Sequence, residues 1–197
     1  GENLLLRRSY FQIYNNFNVS SSLNIISDKL FGEAVWKLSM TPTSDNVEDF
    51  KTHANGHGVR CSYSSIGGVF SANVGYTVSV YWKPVSNIDI KVGMTASNIG
   101  RWVDISTSYV GNGWYRSVGY RIGANDATDE LFMSFYCPSA IAGTPIVINW
   151  ACPKLEVGNK VTGWSLAPED VDANIATAQS TAISTAASNA AALYVTQ

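Results

Sequence analysis

Charge is what this sequence has least of. Asp, Glu, Lys and Arg make up only 14% of the 197 residues and the net charge is −2, so bulk electrostatics recruit neither nucleic acid nor an anionic membrane surface. Long apolar runs are missing as well. None approaches the roughly 20 residues a membrane-spanning helix requires, so no membrane insertion is expected. No basic-then-apolar leader opens the chain, and Gly1 reads as an internal cut. Cysteine is scarce and odd in number, at Cys61, Cys137 and Cys152. This argues for free buried thiols made in a reducing cytosol, and a Cys137–Cys152 bridge would need their strands to be neighbours. None has the C-x-x-C spacing of a zinc or redox site.

Catalytic signatures are absent in the same way. There is no Gly-x-Ser-x-Gly elbow, no phosphate-cradling glycine loop and no His-Glu-x-x-His. The two histidines, His53 and His57, stand four apart near Glu48, Asp49 and Cys61. On a helix that spacing would aim both at one metal, but the Asn55-Gly56 and His57-Gly58 steps argue for a loop. A Cys61/His57 nucleophile pair lacks a third group to orient the base. The adjacent acids Glu48/Asp49 and Asp129/Glu130 are the solvated kind, not two carboxylates facing across a substrate. The loop Asn125–Glu130 offers hard oxygens without EF-hand order. An enzyme is therefore not expected, and neither is a cofactor.

What is present is β-structure. A chain of this length buries a sizeable core without staples, and Gly, Ser, Thr and Asn are plentiful beside 12% aromatics. The stretch Gly75–Lys83 alternates cleanly: Val78, Val80 and Trp82 share one side, while Thr77, Ser79, Tyr81 and Lys83 share the other. That period of two is the mark of a half-buried strand. Further strands are predicted over 34–40, 59–63, 88–94, 102–106, 114–122, 131–136 and 146–152, with a short apolar one within 2–8. The stretch 9–26, rich in Tyr, Phe, Asn and Ser, shows no period and reads as an extended, loop-rich lead-in with room for one short strand. Strands at this spacing with no helical segments between them predict an antiparallel β-sandwich, a jelly roll, over 1–166.

The character changes beyond it, and 167–197 forms a second unit. Pro168 followed by Glu169 and Asp170 is a good helix start. Val171, Ile175, Ala178, Ala182, Thr185, Asn189 and Ala192 then follow the four-three spacing of a coiled-coil seam. An α-helical stalk is the expectation, with a flexible Ala/Ser/Thr linker as the alternative on composition.

The aromatics carry the functional signal. Trp36, Trp82 and Trp150 share parity with apolar neighbours and are assigned to the core. Tyr81 lies on the polar parity beside Lys83, Trp102 follows Arg101 at a strand entrance, and Gly113-Trp114-Tyr115-Arg116 sits at a turn-to-strand junction. A flat ring stacks on the apolar face of a sugar while polar neighbours bond its hydroxyls. The candidate saccharide-binding residues are accordingly Tyr81, Lys83, Trp102, Trp114, Tyr115 and Arg116.

Several of these stretches together resemble a known family. Asn3-Leu4-Leu5, Gly75–Lys83 and Gly113-Trp114-Tyr115-Arg116 are similar to the opening and two strands of jelly-roll carbohydrate-binding modules. The closing Leu155-Glu156-Val157-Gly158, with Thr162, Trp164 and Ala167-Pro168-Glu169-Asp170, resembles the Leu-Glu-x-Gly-x-x-x-Thr-x-Trp-x-x-Ala-Pro-Glu-Asp ending of such modules in tailed-phage tail, baseplate and fibre proteins. The resemblance implies a sandwich in a virion, made in the host cytoplasm, with bacterial cell-surface polysaccharide and other tail proteins as partners and a homotrimeric assembly. Tyr81, Trp114 and Arg116 are the ligand candidates it carries over. Members holding a structural calcium usually have an Asp in the last strand before Leu-Glu. Here that strand reads Ile148-Asn149-Trp150-Ala151-Cys152, so calcium is not carried across. Two functions stay open at this point: a receptor-binding module that holds saccharide, and a purely structural spacer or assembly domain. Convergence of Tyr81, Trp102 and Trp114 on one exposed patch would favour the first.

Overall fold

The computed structural model describes residues 1–5, 7, 10–15, 18–52, 56–62, 73–96, 103–122 and 130–195. Ten strands and two helices follow one another along the chain: β1 (Gln12–Asn15), β2 (Ser20–Leu30), β3 (Glu33–Thr41), α1 (Val47–Phe50), β4 (His57–Ser62), β5 (Gly75–Pro84), β6 (Lys91–Ala96), β7 (Val103–Gly111), β8 (Trp114–Ile122), β9 (Glu130–Tyr136), β10 (Ile146–Val157) and α2 (Pro168–Val195). The strands form two antiparallel sheets, ordered β1-β4-β9-β6 and β2-β3-β10-β5-β8-β7. This is the expected jelly-roll sandwich with a helix behind it.

The core lies between the sheets. Leu38, Met40, Val78, Val80, Ile148 and Trp150 from the larger sheet meet Val59, Met94, Leu131, Met133 and Phe135 from the smaller one. Each such side chain contributes roughly 1.5–3 kcal/mol on burial. These residues alternate along their strands, which is why the buried face is written in the sequence as a period of two.

Three segments depart from the sequence expectation. The stretch 20–30 is an eleven-residue strand, β2, and not a loop-rich lead-in. It is an edge strand whose residues are exposed or half-buried throughout, so Ser and Asn are tolerated on both faces and no alternation marks it. The opening Leu4–Leu5 forms no strand; Leu5 is simply a buried plug, and the Leu4 amide donates to the Leu155 carbonyl. His57 is no loop histidine: it lies in β4, fully buried, its ring stacked on Phe50 with centroids 3.9 Å apart. His53 and the acidic stretch 125–129 lie outside the described residues. Among the described residues no three His, Cys, Asp or Glu come together as a metal site.

All three thiols are free and buried. Cys152 sits at a bulge in β10, while Cys137 follows β9 in the opposite sheet, so they are not on neighbouring strands.

Helix α2 runs for 28 residues, about 42 Å at 1.5 Å per residue. Its first turns are moored by Arg7, whose amide donates to Asp170 Oδ2 (2.7 Å) and whose guanidinium donates to Asn174 Oδ1 (3.2 Å) and Glu33 Oε1 (3.0 Å). Residues 171–193 are solvent-exposed all the way round, the four-three seam included. No described helix is long and apolar enough to cross a membrane.

Candidate functional site

The strand that organises the larger sheet, β5, has two faces with different fates. Thr77, Ser79, Tyr81 and Lys83 point away from the core, as their parity requires. They are not open to water along their whole length. After β10 the chain doubles back as a strap, residues 158–167, over the Thr77–Tyr81 end of this outer face. Thr162 is its hub. Its carbonyl accepts from Arg116 Nη2 (2.6 Å), and its hydroxyl accepts from Lys154 Nζ (2.7 Å) and donates to Glu156 Oε1 (2.8 Å). Lys154 also donates to the Gly163 carbonyl (2.7 Å), and Thr77 donates to the Gly158 carbonyl (2.6 Å). Asn3 holds the strap from the other end, its amide nitrogen bridging the Pro153 and Ser165 carbonyls at 3.0 Å each.

Beneath the strap, Lys154 and Glu156 are each only 1% exposed, 3.8 Å apart. Desolvation pushes the Lys154 ammonium below the ordinary lysine range; the Glu156 carboxylate works against that shift and Arg116 adds to it. The spacing of the closing segment therefore has a physical role in this chain. Leu155 plugs the core, Glu156 and Thr162 close the clasp, and Gly158 turns at a φ of +112° that a side chain would strain. Trp164 lies over Phe31 and donates to Pro153, and Ala167 is buried ahead of the helix.

This strap decides where the expected saccharide residues stand. Tyr81 is 6% exposed: Arg116 lies over its ring, with Cζ 5.1 Å from the centroid, and Phe31 meets it edge-on at 5.2 Å. Burial raises its phenol pKa, with Arg116 opposing. Trp114 is 7% exposed and packs with Tyr81, Val35, Ala151 and Cys152. Arg116 donates to Ser79 Oγ (3.0 Å) and to Thr162. Tyr81 and Trp114 therefore form no exposed patch: parity put Tyr81 on the outer face, and the chain's own strap and cluster cover both rings. Lys83 is half-buried, its stem laid across Gly113 in a space any side chain there would invade. Trp102 lies outside the described residues.

Tyr115 is placed differently, on the inner face. Register puts five aromatic residues in one row across five strands: Trp36 opposite Trp150, Trp150 opposite Trp82, Trp82 opposite Tyr115, and Tyr115 opposite Tyr109. Directly opposed residues share a face. Trp82 and Tyr115 stack with centroids 4.8 Å apart at 19°, and Tyr109 meets Tyr115 edge-on at 5.2 Å. The row runs from a fully buried Trp150 to Tyr109, which is 62% exposed.

Where it leaves the packed interior, a cleft of about 510 Å³ opens between the sheets, within the range of small-ligand sites. Trp82, Tyr115 and Tyr136 supply rings to its wall, Ile88 and Ile105 aliphatic surface, and Asp89, Lys91 and Thr107 polar groups. Trp82 is fixed there because its indole N–H donates to Ser117 Oγ (2.8 Å), which pairs in turn with Thr107 Oγ1 (2.8 Å). Asp89 and Lys91 form an exposed ion pair at 3.6 Å on the rim. The sequence pointed to Tyr115 and assigned Trp82 to the core, where it is 3% exposed at the cleft's floor; it did not point to Tyr136 or the Asp89/Lys91 rim. The signal available was the matched parity of Trp82 and Tyr115, legible only once the β5–β8 register is known.

No protein-family model matches the chain, and no curated protein matches it. Among solved structures it is similar to the CBM22-1 xylan-binding domain of Xyn10C from Paenibacillus barcinonensis, at 11% identity with a TM-score of 0.45, covering 81% of this chain and 94% of that one.

Proposed function

We propose that this chain is a non-catalytic saccharide-binding module, and that the cleft at Trp82 and Tyr115 is where a sugar is held. The observation that carries the reading is the cleft's lining. Half-buried Tyr115, held flat by Trp82 stacked beneath it, gives an apolar wall for the C–H face of a pyranose, and Thr107, Tyr136, Asp89 and Lys91 supply donors and acceptors for its hydroxyls. Within the described residues nothing pairs a nucleophile with a base in this cleft, and Asp89 is the only carboxylate along its lining, so the geometry favours holding over hydrolysis.

The closing motif and the free helix support a place in a phage tail, in a virion assembled in the host cytoplasm. There the module meets bacterial cell-surface polysaccharide, with other tail proteins behind it. In this reading α2 gathers three copies, and three weak sites act together; linked modules gain roughly 10²–10⁴ over a single site.

The test is a titration of the purified chain against a panel of neutral cell-wall oligosaccharides, followed by Tyr115→Ala. The substitution is expected to weaken binding by about 1–3 kcal/mol, as truncation of a stacking residue does. Binding that is unchanged in this variant removes the cleft from the function. A second reading, an assembly element with no ligand, is favoured by the burial of Tyr81 and Trp114 and by the clasp that aims α2; absence of binding across the panel would select it.

A further inference from the structure

The uncovered half of the outer face carries a feature that the cleft does not use. One row of register partners crosses it: Asn24 opposite Lys37, Lys37 opposite Asn149, Asn149 opposite Lys83. Two ammoniums therefore flank one amide, about 10 Å apart at two strand spacings. The rows on either side are Ser22, Ser39 and Val147, and Ala151, Tyr81 and Arg116. Among the described residues these three rows hold three cations and no carboxylate, in a protein whose net charge is −2. Arg116 is engaged with Ser79 and Thr162, whereas neither lysine has an ion-pair partner among the described residues.

Asn149 sharpens the picture. It is only 5% exposed, and its Oδ1 has no hydrogen-bond partner among the described residues. A buried amide oxygen without a donor is costly. Between two cations it asks for a neighbour that brings a hydroxyl together with negative charge. Beside this row, about 7 Å along β5, Tyr81 supports Phe31 at the tip of the β2–β3 hairpin. Phe31 is 60% exposed and holds a φ of +51°, followed by Gly32 at +76°. Two-residue hairpin turns of this kind prefer Asn or Gly at the first position, and a bulky residue there costs about 1–2 kcal/mol. Phe31 is nonetheless held in place by Tyr81 on one side and by Trp164, stacked at 6.3 Å, on the other. An exposed ring kept in a strained turn beside two unpaired ammoniums is an apolar ledge next to an anion-selective row.

We propose that this outer face is a second binding site, separate from the cleft, for an acidic glycan: a hydroxylated chain bearing carboxylate or phosphate groups. Lys37 and Lys83 take the oxyanions, Asn149 Oδ1 accepts a hydroxyl, and Phe31 supports the apolar side of a sugar ring. Gly113 belongs to the device, since the Lys83 stem occupies the space its missing side chain leaves.

The experiment is affinity electrophoresis of the full chain through gels holding polygalacturonate, poly(glycerol phosphate) or neutral dextran. The first two distinguish a carboxylate source from a phosphate source. Retardation by at least one polyanion is expected, weakened at least tenfold in K37Q/K83Q and kept within twofold in K51Q/K160Q, which removes the same charge elsewhere. N149L, which removes the amide acceptor without touching charge, is expected to weaken the same retardation about threefold or more. No retardation by either polyanion overturns the proposal, and so does an equal loss in both lysine pairs. Retardation by dextran that is lost in Y115A and kept in K37Q/K83Q reports the cleft alone, so the two sites fail separately.

Discussion

Tyr81 and Tyr115 sit on adjacent strands and face opposite ways, and the contrast between them sets the residue-scale expectations. Tyr81 is a structural tyrosine. Its ring is enclosed by Phe31, Arg116 and the second apolar cluster, so Tyr81→Ala opens a cavity and is expected to cost about 3 kcal/mol of stability. Chemical denaturation would measure this, with saccharide binding in the cleft retained at temperatures where the variant is folded. A variant as stable as the parent would mean that the strap closes over the gap. The alternation in 75–83 made the face of Tyr81 legible in the sequence, because parity is a local property. Whether that face meets water was not legible, because the cover comes from distant residues: Phe31 about fifty positions earlier, and Arg116 and the strap's Trp164 later. Tyr115 was found for a local reason, its place after a Gly-Trp turn. Its partners Trp82 and Tyr109 escaped because a row across strands exists only in the register.

At the scale of elements, the strap is the piece whose sequence was noticed before its job was. Its spacing was recognisable as a resemblance, yet only the folded chain explains the Glu156–Thr162 closure over Lys154. Glu156→Gln leaves a buried ammonium with hydrogen bonds but no counter-charge, and removing one partner of such a pair typically costs 3–5 kcal/mol. Differential scanning calorimetry is expected to show a clear fall in Tm, with Lys154→Met in the same chain recovering much of it. A single variant that melts like the parent would show that the clasp contributes no net stability. β2 illustrates the opposite limit: an edge strand whose inward side is only half-buried, with Leu23 against the core, shows too weak an alternation to be told from a loop. The helix was legible from Pro168-Glu169-Asp170 and composition, whereas the exposure of residues 171–193 on every side was not.

For the whole molecule, two expectations follow. The first is assembly: the exposed helix is too poor in apolar area to be stable alone in water, so the intact chain is expected to sediment as a trimer and the chain ending at Asp170 as a folded monomer. A monomeric intact chain at high concentration would end the stalk reading. The second is alkaline sensitivity. Burial lifts the thiols of Cys61, Cys137 and Cys152 from the ordinary value of 9.0 to about 12. A folded pKa above the unfolded one means the folded state keeps protons that the unfolded state has released. Stability is therefore full below pH 9 and falls as pH rises toward 12, each thiol contributing on the order of 1 kcal/mol per pH unit. Lys154, shifted downward, acts in the opposite sense as pH rises toward its ordinary 10.5 and offsets part of the loss. Denaturation midpoints at pH 8 and pH 10.5 check this, and equal midpoints would contradict it.

The mooring of α2 also has a mechanical meaning. A pull on the far end of the helix reaches the body first through Arg7, Asn3 and Thr162, which tie three separate stretches of chain to one junction. Past that junction the load enters β10, which has β3 on one side and β5 on the other. A strand hydrogen-bonded along both flanks shares tension among many bonds, where an edge strand would be peeled one bond at a time. In this molecule traction on α2 is delivered to the best-anchored strand of the sandwich, and the cleft begins on β5, the strand next to the line of force.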